Sequence, residues 1–68
     1  MKDLQYMSDA YLEDRLAQLE RNVQEYEKIL RVQRSTLIML IYRSYIRKAK
    51  TEIHAIEAEM SYRKAQGQ

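Results

Sequence analysis

The sequence predicts an all-α fold: an antiparallel hairpin of two long helices that assembles as a helical-bundle dimer or higher oligomer. Three observations carry that prediction. Proline is absent, and the one glycine, Gly67, lies next to the last residue. Two runs of apolar residues each recur at alternating spacings of three and four, the period of one helical face. The second run is out of phase with the first.

The first run is Leu12, Leu16, Leu19, Val23, Tyr26 and Leu30, all on one stripe of a helix spanning about 8–32. Its start is signalled by Ser8 as N-cap, by Asp9 at the positive end of the macrodipole, and by a Met7–Leu12 hydrophobic staple. Lys28, Arg31 and Arg34 stand where cations favour a helix C-terminus.

The second run is Met39, Tyr42, Ile46, Ala49, Ile53, Ile56 and Met60. Continuing the first stripe would require apolar residues where the chain has Gln33, Ser44, Arg47, Thr51 and His54. The offset is two residues, whereas a stutter or stammer in one coiled helix shifts register by about four or three. Two helices facing each other across a turn account for it better. The turn is expected at about 33–36 and helix two at about 37–65, with Ser35 as its N-cap. No glycine or proline marks that turn, so the sequence leaves open one continuous helix of about 55 residues, roughly 80 Å long. Two such rods paired antiparallel would make many of the same contacts between chains.

Sixty-eight residues make a single domain, at the size where one core barely supports folding without staples or oligomerisation. Staples are missing, because the chain has no cysteine and therefore no disulfide framework or thiolate metal site. A composition of 46% apolar and 32% charged residues is too apolar for a disordered segment. Helix two is apolar on nearly every side where it begins. Leu37, Ile38, Leu40, Ile41 and Tyr45 lie outside its stripe, and a helix apolar all round is a buried one. These five residues are the expected partner or oligomer interface, with Tyr6, Met7 and Tyr11 adding apolar surface near the other end. A dimer of hairpins forming a four-helix bundle is the simplest closed solution, and a different protein would cover the same surface equally.

Charge is unevenly distributed although the net formal charge is only +2. Seven basic residues and no acid lie between Lys28 and Thr51, so one region is distinctly positive. Arg43, Arg47 and Lys50 form one ridge of helix two that continues to His54, and with Lys48 they are the expected anion or nucleic-acid contacts. Tyr42 or Tyr45 would offer a face for an unpaired base. The structural alternative is that Glu20, Glu25 and Glu27 of the neighbouring helix neutralise the ridge.

Candidates for chemistry are few. The spacing of His54 and Glu57 occurs in helical carboxylate metal sites, but those sites need further inward carboxylates, and the inward stripe here is apolar. His54 therefore reads as a solvated surface residue. No phosphate-binding glycine loop and no nucleophile with a base are present, so neither catalysis, a metal nor a cofactor is expected. The longest apolar run, Leu37 to Tyr42, is six residues, against roughly 20 for a membrane span, and no export signal is evident. The expected setting is the cytoplasm and the expected function is non-catalytic. The chain reads as a small interaction, inhibitor or adaptor protein that self-associates and binds another protein. The alternative is an RNA- or DNA-binding hairpin using residues 28–50. A third reading has an oligomer enclosing a small anionic ligand between basic ridges.

Overall fold

The computed structural model describes residues 4–67. A short 3-10 turn, Leu4–Tyr6, precedes α1, Asp9–Val32, and α2, Thr36–Gly67. The two helices run antiparallel against each other in a hairpin measuring 49 × 19 × 15 Å. The continuous-rod alternative is thereby excluded. The phase offset between the apolar runs reflects two stripes facing inward from opposite sides.

Each boundary has a local cause. Ser8 is extended, with φ −71° and ψ 159°, and its side chain accepts the Tyr11 backbone N–H at 3.1 Å. This satisfies one of the donors that a helix start leaves unpaired. α1 stops at Gln33, which turns extended at φ −80° and ψ 137° while its N–H still donates to the Ile29 carbonyl. The Gln33 side chain then folds over the turn. Its Oε1 accepts the backbone N–H groups of both Arg34 and Ser35 at 3.2 Å. Among the described residues no backbone has positive φ, which is why the reversal needs no glycine. Ser35 begins α2, accepting the Ile38 N–H on its hydroxyl at 3.4 Å and the Met39 N–H on its carbonyl at 3.0 Å. Thr36 is already helical, and α2 extends beyond residue 65 to Gly67.

The core follows both stripes. Leu12, Leu19 and Val23 of α1 are buried against Ala49 and Ile56 of α2, with Leu16, Ile46, Ile53 and Met60 packed around them. Leu4 and Met7 join this cluster, so the N-terminal turn closes over the open end of the hairpin. Tyr26, Leu30, Met39 and Tyr42 are only half-buried. Every fully buried residue lies outside the stretch from 24 to 48, so the dry part of the core lies away from the turn.

Candidate functional site

Near the turn, the interhelical space is filled by aromatic rings. Tyr26 of α1 packs on Tyr42 and Tyr45 of α2 with centroid separations of 5.6 and 5.7 Å, and Tyr42 meets Tyr45 edge-on at 5.5 Å and 87°. Tilted and edge-to-face pairs at these distances are favoured by the ring quadrupoles. Tyr45 thus contributes to the inside of the hairpin as well as its outside, since it remains 46% exposed.

Around this aromatic cluster lies the apolar surface. Leu37 is 68% exposed, Leu40 57%, Ile41 42% and Ile38 37%. Val32, at the last turn of α1, is 79% exposed and adds an exposed aliphatic side chain on the other side of the reversal. Val32 lies outside the α1 stripe, at the last residue of α1. At the other end Tyr6, Tyr11 and Tyr62 are exposed. Tyr62 falls on the outer face of α2, away from Met60 and Ile56.

The basic ridge is not covered in the way the α1 glutamates would allow. Arg43, Arg47, Lys48 and Lys50 are all exposed, and none of them forms an ion pair with a described residue. Glu25 lies 4.0 Å from Lys28 on its own helix. Glu20 and Glu27 stay beyond ion-pair distance of the ridge. Glu20, Val23 and Gln24 instead form one wall of a shallow, open cleft whose other wall is Lys50, Ile53, His54 and Glu57. His54 is exposed on that wall. Among the described residues no three His, Cys, Asp or Glu side chains gather as metal ligands, and no helix is long and apolar enough to cross a membrane.

The ion pairs that bridge the two helices or tie down the N-terminal turn lie toward the open end and have structural roles. The Arg15 Nε donates to Glu52 Oε2 at 2.9 Å and its Nη2 to Oε1 at 3.2 Å, a bidentate bridge between helices. A third donor reaches Gln18 Oε1 at 3.0 Å. Arg63 does more. Its Nε donates to Glu59 Oε2 and its Nη1 to Asp9 Oδ1, both at 2.7 Å, while Nη2 reaches the carbonyls of Leu4, Gln5 and Met7. One guanidinium therefore ties the N-terminal turn, the start of α1 and the last third of α2 together. The Glu52 hydrogen bond raises the Arg15 pKa above its ordinary value, and the hydrogen bonds to Glu59 and then Asp9 do the same for Arg63. The sequence held a signal for both: Arg15 and Glu52 are nearly equidistant from Arg34, and Glu59 and Arg63 are four apart.

Two surfaces are thus available for function: an apolar patch around the turn and a basic ridge that forms no ion pair among the described residues. No family model, curated protein or solved structure matches the chain.

Proposed function

We propose that the chain is a small non-catalytic interaction protein, of the inhibitor or adaptor kind, that self-associates through the apolar faces of its hairpin and engages a further protein. The observation that carries this reading is the exposed cluster Val32, Leu37, Ile38, Leu40 and Ile41. Leu37, Ile38, Leu40 and Ile41 neighbour one another on successive turns of α2, and such a cluster favours an interaction surface, since isolated exposed aliphatics are ordinary but clusters are not. The poor burial between residues 24 and 48 supports it from the inside. The stretch nearest the turn lacks the dry core that the remainder of the hairpin has, and a second surface would supply it.

The test is the solution mass of the double variant Ile38→Glu, Ile41→Glu, followed by light scattering. Both side chains are exposed in the single hairpin, so helicity should persist while the assembly falls to one chain. Retention of the assembly by the variant would remove these residues from the interface.

A second reading is supported by Arg43, Arg47, Lys48 and Lys50 being exposed and forming no ion pair among the described residues. In this reading the ridge tracks the phosphates of RNA or DNA. Replacing Arg43, Arg47 and Lys50 by Gln would lower the salt dependence of binding by about one unit of slope for each lost phosphate contact. Absence of RNA and DNA binding at low salt would eliminate it.

A further inference from the structure

We infer that the partner covering the apolar turn end is a second copy lying alongside in the opposite direction, so that the turn half of each hairpin rests on the open half of the other. This deepens the self-association reading above and rests on it. The observation behind it is the polarity of charge along the 49 Å axis. Dividing α1 and α2 at their midpoints gives a turn half, residues 21–51, with eight basic and two acidic residues. The described remainder carries seven acidic and three basic residues. One half is therefore formally +6 and the other −4.

That polarity decides between arrangements that would hide the same apolar patch. Hairpins meeting turn to turn, or side by side with both turns at one end, would set two strongly positive halves against each other. Opposed hairpins place positive on negative at both ends. Charges across a packed interface lie closer than the ~10 Å screening length of 0.1 M salt, so the difference persists in ordinary buffer. The ridge Arg43, Arg47 and Lys50 forms no ion pair with any described acid of its own chain. In the opposed arrangement it lies at the level of the acidic half of the neighbour.

The apolar surface divides the same way. The turn half exposes the aliphatic side chains Val32, Leu37, Ile38, Leu40 and Ile41 beside Tyr45, whereas the large hydrophobics that the open half exposes are the tyrosines Tyr6, Tyr11 and Tyr62. A two-fold axis across the hairpins makes each contact twice, aliphatic patch on tyrosines at both ends. Tyrosine suits such a contact, with an apolar ring for the patch and a hydroxyl for the rim.

Because the chain has no cysteine, a nitroxide on the single variant Arg34→Cys marks only the turn, outside the aliphatic patch. Opposed hairpins put the two labels at a separation on the order of the 49 Å hairpin length, measured by pulsed electron paramagnetic resonance. In parallel, Arg34→Cys mixed with Gln66→Cys should oxidise mainly to the mixed disulfide. A multi-chain mass with labels within about two helix diameters, ~20–25 Å, or with Arg34→Cys self-linking, overturns the opposed arrangement and leaves self-association standing. A single-chain mass for the folded protein overturns both.

Discussion

Arg15 and Glu52 are joined by two hydrogen bonds, of 2.9 and 3.2 Å, across the interface between α1 and α2. Both side chains are about a third exposed, at 33% and 34%. Solvent therefore screens the pair, and its coupling energy should be about 0.5–1 kcal/mol. A double-mutant cycle with Arg15→Met and Glu52→Gln, followed by urea unfolding, reads that coupling. It should shrink in 1 M salt, and a coupling unchanged by salt would show that the pair is not the screened contact described. The raised Arg15 pKa adds stability that is fully present below the ordinary guanidinium value and is lost only as pH rises through the higher folded value. Deprotonation of Arg15 therefore has no part in the pair's behaviour at neutral pH.

Gln33 is the residue that makes the reversal without glycine. Its side-chain oxygen accepts two backbone N–H groups, and Gln33→Leu removes both bonds. At ~0.5–1.5 kcal/mol for each hydrogen bond, the variant should lose roughly 1–3 kcal/mol in a denaturant melt. Gln33→Glu keeps an acceptor oxygen and should lose less. Equal losses in the two variants would mean that the side-chain acceptor does not hold the turn.

The cap at Ser8 accepts the Tyr11 N–H at 3.1 Å. Ser8→Ala should cost about 1 kcal/mol, read from thermal unfolding. The Ser35 contact is longer, at 3.4 Å, and Ser35→Ala should cost less. An inverted order would contradict the assignment of Ser8 as the stronger cap.

Core and patch should respond in opposite ways. Leu12 and Ile56 are fully buried, so Leu12→Ala or Ile56→Ala should destabilise the hairpin by about 2–5 kcal/mol. Leu40→Ser removes an exposed side chain and should leave the fold of a single hairpin within about 0.5 kcal/mol, while weakening association. A Leu40→Ser protein that unfolds readily and yet retains its mass would argue against the patch as an interface.

Arg63 fastens the segment before α1 through the carbonyls of Leu4, Gln5 and Met7. Arg63→Met should free that segment, and limited proteolysis should then cleave between Leu4 and Ser8 well before either helix. Unchanged protection of the segment would mean that packing of Leu4 and Met7 on the core suffices to hold it.

These residues also show what the sequence disclosed and what it withheld. The two inward stripes were legible because the six apolar residues from Leu12 to Leu30 and the seven from Met39 to Met60 recur at the helical period. All thirteen of those residues are buried or half-buried in the hairpin. The location of the turn followed from the phase offset between the stripes. Its mechanism did not, since a glutamine folding back on its own turn leaves no compositional mark. The exposure of Leu37, Ile38, Leu40 and Ile41 was legible as a surplus of apolar faces over what one hairpin can bury. The Arg63 contacts were hidden because three of its acceptors are backbone carbonyls, which any sequence would supply. Whether Glu20, Glu25 and Glu27 cover the basic ridge depended on helix rotation and side-chain reach, neither of which is encoded in spacing. The ridge has no such cover, and Glu25 turns to Lys28 instead.

The central claim is that the apolar turn end is covered by another copy of the chain. The most direct measurement is the mass of the unmodified protein in solution, by light scattering or sedimentation, across a range of concentrations. The account predicts an assembly of at least two 8.2 kDa chains that dissociates on dilution. A helical, cooperatively folding protein that stays at the mass of one chain at every concentration would contradict it.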